Sequence, residues 1–402
     1  MKFQHSLLIQ LLIIIIMFIN NVKCWNDCEV SISQLRGSVP LYVKEVQGNG
    51  SFWVYEPSDG FIVLRKGEQI TLICPTPNKD VNANYGLATC EGNNMFNFDG
   101  KSLQLRDVTC PHGFPKPIAK ITGRCSGNGL KIDVGFQLGD NYLLKQITVC
   151  YNNETKVPLY AHFSMKNSVC CCATGTSKWI DKGTFGNAQI PLTSVYEIGS
   201  EKRTLNRMFG IESKSNKFIS SPSRYFTKGR LVDKCDFSFP AQQRMTNNYY
   251  NTVPQWQPFS NGNWRILQEN IRDYLRRSKN KYKELHVYTG TYGIAKYEAA
   301  WRTSADLALF MNNSGRKAVL IPEYLWKIVH DPMSNRGIAF VMFNNPYVEE
   351  TVKLCTNICA KLSWLTWDTN RKDKGYGYCC SVDDIKKRIR NIPPITVSGI
   401  LH

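Results

Sequence analysis

Three rhythms of apolar residues run along this chain, and each predicts a different kind of element. Leu7 to Ile19 is an almost unbroken apolar block behind Lys2. It is too short to cross a bilayer comfortably and lacks a stop-transfer flank. Val22 and Cys24 precede Trp25 with the spacing of a cleavage site, so residues 1–24 read as a secretory signal. From 25 to 139 the rhythm shortens. Runs such as Phe61-Ile-Val-Leu-Arg65 and Gln69-Ile-Thr-Leu-Ile-Cys74 alternate between clusters of Gly, Asn and Pro, which is the pattern of short strands joined by turns. From 140 to 402 strands and helices mix. Lys145–Cys150 and Glu284–Thr289 read as strands, and Trp264, Leu267, Ile271 and Leu275 recur at helical spacing within Asn263–Ser278. Pro346–Leu362 reads as a second helix. It carries Cys355 and Cys359 on one side, with Cys379 and Cys380 as candidate partners. A last helix starts at Ser381, where Ser381 and Asp384 form a capping box, and stops before Pro393-Pro394. The fold class expected is α+β, with a small, mostly-β region in front.

The 402 residues suffice for two domains. Of 15 cysteines, Cys24 leaves with the signal; the 14 that remain are an even number, which favours up to seven disulfides after export. Zinc is the rival use of Cys170, Cys171, Cys172, Cys379 and Cys380. No pair has CxxC spacing and histidines are few, so disulfides are preferred. Cys28, Cys74, Cys90, Cys110 and Cys125 staple the N-terminal region. Asn49, Asn153 and Asn312 lie in glycosylation sequons. His112, His162 and His286 stand apart from any catalytic grouping and read as structural.

Charge narrows the partner. The formal net charge is +18, or +16 once Lys2 and Lys23 leave with the signal, and such a field attracts polyanions. Between Glu201 and Lys283 there are seventeen Lys and Arg against six Asp and Glu. Most of the excess therefore lies on one segment, where it is interleaved with Phe, Tyr and Trp. Trp256, Trp264, Tyr249 and Tyr250 have the chemistry of base-stacking platforms, but their spacing favours core positions.

That segment carries a motif. Lys228-Gly229-Arg230-Leu231 is followed by Asp236-Phe237, Ala241-Gln242-Gln243-Arg244, Asn251, Pro254-Gln255-Trp256-Gln257 and Gly262-Asn263-Trp264. Val287 to Gly293 and Ile321-Pro322 to Trp326-Lys327 lie downstream. Over roughly the last 260 residues this resembles the DNA/RNA non-specific endonucleases, the ββα-metal (His-Me finger) nucleases that include secreted insect double-strand ribonucleases. The resemblance implies a strand ending in a histidine general base, then a helix offering an asparagine to one divalent metal and a glutamate to the metal's water shell. A base needs a pKa near working pH, and magnesium takes hard oxygen ligands to offset charge growing on phosphate.

The departures fall on those positions. Arg230 stands where the family has its histidine, Ser260 at the metal asparagine and Gln268 at the glutamate, with Asn261 as the metal ligand in a register shifted by one. An arginine keeps its proton and cannot act as base, but its planar fork suits a phosphate. Asn251 and Arg272 match positions that support the site and contact phosphate. The expected nucleic-acid contacts are therefore Lys228, Arg230, Arg244, Asn251, Arg272 and Arg276. Binding needs no cofactor. Mg2+ is what the family implies, weakly held or lost here. The expectation is a secreted, sequence-independent binder of DNA and RNA through their phosphate backbones, free of membrane once the signal is removed. The alternatives are an active metal-dependent endonuclease and a binder of heparin-like glycans or a host protein.

Overall fold

A computed structural model describes residues 27–46, 50–77, 81–172, 178–180, 190–220, 222–280, 283–298, 304–347, 352–369 and 371–402. The expected signal segment and the Asn49 sequon lie outside them. The strands that matter here are β1 (Leu41–Glu45), β2 (Gln69–Pro75), β3 (Asn82–Gly92), β4 (Leu130–Leu138), β5 (Tyr142–Asn152) and β6 (Val157–Lys166). They are followed by β7 (Phe226–Arg230), β8 (Thr252–Trp256), β9 (Glu284–Tyr292), β10 (Tyr324–Asp331), β11 (Arg336–Phe343) and β12 (Gly377–Cys380). The helices are α1 (Ile198–Met208), α2 (Pro240–Met245), α3 (Arg265–Arg276) and α4 (Val382–Arg388).

Alternation builds the centre. Ala161, Phe163 and Met165 on β6 and Leu285, Val287 and Thr289 on β9 are buried on one face, and the two strands pair antiparallel with Phe163 opposite Val287. The sheet runs β12-β11-β10-β9-β6-β5-β4-β3-β2-β1. In that order β3, and with it β2 and β1, joins β4 through one parallel pair, Asn82 opposite Leu138. Asn82 secures that seam with its side chain: Nδ2 donates to the carbonyls of Gln137 and Lys116, and Oδ1 accepts from the Lys116 amide. The expected division at 139/140 falls in the turn between β4 and β5, which pair from Leu130–Tyr151 to Leu138–Tyr142.

Three apolar clusters result among the described residues. One lies within the N-terminal region around Ile62, Leu72, Phe96 and Leu105, and it takes in Phe239 from the later half, whose ring centroid is 5.3 Å from that of Tyr42. The largest packs Trp264, Leu267, Ile271 and Leu275 against Phe163, Val287, Leu325 and Phe340, as the helical periodicity predicts. The third puts Val382 and Ile385 of α4 on Trp326, Ile328 and Val341. Ser381 caps α4 by accepting from the Asp384 amide.

Six disulfides join described residues: Cys28–Cys90, Cys74–Cys110, Cys125–Cys150, Cys172–Cys235, Cys355–Cys380 and Cys359–Cys379. Cys355 and Cys359 thus find the expected partners, but not from a helix. Of the expected helix Pro346–Leu362, residues 348–351 lie outside the described residues; among the described ones, 352–358 are irregular and Cys359–Lys361 forms a 3-10 turn. The physical reason is that amides there have partners outside the segment. Leu354 N donates to the Tyr378 hydroxyl, Thr356 N to Asp384 and Ile358 N to the Cys379 carbonyl. The histidines also form a group that spacing concealed: His162, His286 and His330 make a row across β6, β9 and β10, with ring centroids 5.7 and 5.9 Å apart.

Candidate nucleic-acid interface

The hairpin β7–β8 and helix α3 form the ββα unit on which the motif sits. Phe226 pairs with Trp256 and Arg230 with Thr252. Gly229 has to be glycine because a Cβ there would stand 2.6 Å from the Gln255 side chain. After β8 a short helical turn, Gln257–Phe259, runs into a widened turn, Ser260–Trp264, that breaks at Gly262 (φ −92°, ψ −123°). A Cβ on Gly262 would meet the Lys374 carbonyl at 2.4 Å, so the start of α3 is wedged against that loop. Asn263 ties the same loop, donating through Nδ2 to the carbonyls of Asp368 and Gly375 and accepting the Asp368 amide.

Buried polar groups brace the end of β7. Asn251 accepts the Val232 amide and donates to the carbonyls of Val232 and Thr246. Asp233 and Asp236 cap the short turn Lys234–Asp236 reciprocally. Arg272 reaches across from α3 to Asp236 at 2.8 Å and Asp233 at 3.4 Å. Burial works against the Arg272 charge, and the two carboxylates more than offset it. Lys327 is buried beside them, donating to Thr289 Oγ1 and the Leu231 carbonyl, with its ammonium over the Trp264 ring. Burial pushes it down to about 8. Glu201 on α1 accepts the Phe226 amide at the start of β7, at 2.9 Å. Burial raises its carboxyl to about 8.

The predicted site residues divide between this frame and the surface. Arg230 is partly buried, and both its Nε and its Nη2 donate to Asn247 Oδ1, at 2.8 and 2.6 Å. Its guanidinium stacks on Trp179, 4.9 Å from the ring centroid. The Lys228 ammonium lies over Trp179, Tyr249 and Tyr196 at 5.2, 5.6 and 5.9 Å, a cation held by ring quadrupoles. Arg244 stacks on Phe114 at 4.1 Å. Arg276 is exposed and pairs with Asp273 at 2.9 Å. Arg272 and Asn251, expected among the nucleic-acid contacts, are instead buried and bonded as described above. Ser260 is partly buried, Asn261 exposed and Gln268 buried. Trp256, Trp264, Tyr249 and Tyr250 are core residues, none more than 4% exposed. Arg265, Arg277 and Lys279 add exposed cations along and just beyond α3.

Several members of this arrangement were not visible in the sequence. Trp179, Tyr196, Asn247 and Phe114 meet the basic side chains across long stretches of chain, and no spacing rule reaches them. Among the described residues no group of three or more His, Cys, Asp or Glu converges to hold a metal.

A hairpin and helix with this framework are those of a nuclease fold, and the chain belongs to the DNA/RNA non-specific endonuclease family, whose model matches residues 127–385. Among individual proteins it resembles the Tsal group. It is 25% identical to the salivary protein Tsal2A of Glossina morsitans morsitans over 97% of this chain and 98% of that one. It is 28% identical to Tsal1 of the same fly over 78% and 77%. A salivary endonuclease of Lutzomyia longipalpis is 26% identical over 90% of this chain and 82% of its own. A chain from the crystal structure of the EndoG/EndoGI complex superposes with a TM-score of 0.35 at 12% identity, over 63% of this chain and 87% of that one; so loose a superposition carries no argument.

Proposed function

We propose that this protein binds nucleic acid without sequence preference and has lost all but residual phosphodiester cleavage. One observation carries the reading: Arg230, which we assign to the family's general-base position, holds a guanidinium that donates twice to Asn247 and stacks on Trp179. Such a group cannot take a proton from water. It keeps its remaining N–H donors for a phosphate, and Lys228 lies over the same indole ring. The expected metal donors do not fit a divalent ion well. At the expected asparagine position Ser260 is a weaker donor, and at the expected glutamate position Gln268 lacks the carboxylate charge, while Asp233 and Asp236 are engaged by Arg272. Arg276, Arg277, Arg265 and Lys279 extend the cationic surface that phosphates would follow. The salivary relatives support export, in line with the apolar block before Trp25. Among the described residues no helix is long and apolar enough to cross a membrane.

A labelled duplex tests this when run with protein in Mg2+ and in EDTA, on native and denaturing gels, across a salt series. The expected result is an intact, retarded duplex in both conditions, released by salt with a log–log slope of about −0.9 per phosphate neutralised. Heparin at matched charge should compete less well than duplex. Magnesium-dependent fragments at substoichiometric protein would overturn the reading in favour of an active endonuclease, which the Lutzomyia relative's name favours.

A further inference from the structure

Of the 15 cysteines, Cys24 lies outside the described residues and twelve are joined in the six disulfides above. The two left over, Cys170 and Cys171, are neighbours in the chain. Both are partly buried and pack against the N-terminal apolar cluster. Their sulfurs converge over Gly60: a Cβ built there would be 3.7 Å from one and 3.8 Å from the other, and 3.6 Å from the Cys170 Cβ. Gly60 has φ +83°, so it is a glycine on conformational grounds too, and it leaves the space above it to the sulfurs.

The backbone around the pair is fixed from several sides. The Ser168 carbonyl accepts from the Ser238 hydroxyl, the Cys171 carbonyl accepts from Gln243 Nε2, and Cys172 is bonded to Cys235. Every other described cysteine already has a partner, so neither sulfur has another to reach for.

We infer that Cys170 and Cys171 are bonded to each other, as a seventh disulfide that closes a small ring across one peptide bond. The ligand class is a low-molecular-weight disulfide acting as oxidant. One protein thiolate attacks it, forming a mixed disulfide and expelling one small thiolate. The neighbouring sulfur then displaces the second, so two protein thiols become one disulfide and the oxidant leaves as two thiols. Burial pushes the Cys170 thiol up to about 12, with the Cys171 sulfur beside it adding to the rise. Closure therefore belongs to the folding chain, before the N-terminal region docks over the pair and removes water. Once formed, the ring presents an apolar face to the N-terminal cluster where two thiols would present donors.

The test uses full-length protein secreted from eukaryotic cells and purified without reductant. It is unfolded at low pH in the presence of a thiol-alkylating maleimide and weighed intact. No adduct is expected on the wild type, one adduct on Cys170→Ser, and none on the double variant Cys170→Ser/Cys171→Ser. A non-reduced digest should give the peptide holding residues 170–172 still linked to the Cys235 peptide and lighter by two hydrogens than its dithiol form. Two adducts on the wild type, located at Cys170 and Cys171, would overturn the proposal. A covalent dimer of doubled mass without adducts would overturn it as well, by assigning those sulfurs to a second copy of the chain.

Discussion

Around the end of β7, two regions of the molecule differ in how completely their polar groups are spoken for. In the frame, Asn251 makes three bonds to main chain, Arg272 spans Asp233 and Asp236, and Lys327 lies enclosed between strands. On the surface, Lys228 rests on ring faces, Arg276 on a half-exposed aspartate and Arg230 on a single amide oxygen. The frame's residues serve the backbone geometry of the hairpin and helix whatever chemistry the surface performs. On the proposed assignment of Arg230, Ser260 and Gln268 to the family's chemical positions, that difference explains how those residue types could change while the scaffold stays that of a nuclease.

The most forceful way to break the comparison is to install the family's residue types at the three proposed positions. Arg230→His, Ser260→Asn and Gln268→Glu together should raise magnesium-dependent cleavage of a labelled duplex, by about 10²–10⁴-fold from the base alone. No gain would mean that the frame, too, has moved away from catalysis. The next largest effect belongs to the frame itself. Arg272→Met leaves Asp236, whose side chain is 1% exposed, without its partner. Chemical denaturation should report a loss of about 3–5 kcal/mol. A result near zero would place Arg272 among the replaceable surface groups.

How these regions read in the sequence follows from the range of the interactions. Leu267, Ile271 and Leu275 were legible because helical periodicity is local, and Ser381 because a cap is local. The helix expected at Pro346–Leu362 failed because the partners of its amides, Tyr378, Asp384 and Cys379, lie some twenty residues away or more. Arg272 could be matched to a motif position, but charge counting cannot say that its carboxylates are Asp233 and Asp236 rather than a phosphate outside. The box around Lys228 was invisible for the same reason: its walls come from Trp179, Tyr196 and Tyr249.

A subtler probe of the frame is pH. Glu201 is raised to about 8 when folded, against an ordinary value of 4.5. The folded chain holds a proton there that the unfolded chain has released, so this residue makes stability fall as pH rises from 4.5 towards 8. Glu201→Gln should flatten that slope in denaturation midpoints measured across the window; an unchanged slope would remove Glu201 from the frame. The smallest expected effect is on the surface. Arg276→Ala should leave unfolding unchanged and reduce the salt slope of duplex binding by at most about 1. Loss of stability in that variant would blur the line between the two regions.

Trp179 is shared between two of the surface cations. Its indole touches the Arg230 guanidinium on one hand and the Lys228 ammonium on the other. A phosphate that draws either cation off the ring alters the electric field at the indole. The protein therefore carries its own optical gauge: emission that Trp179→Phe removes should track occupancy of the interface without any label attached.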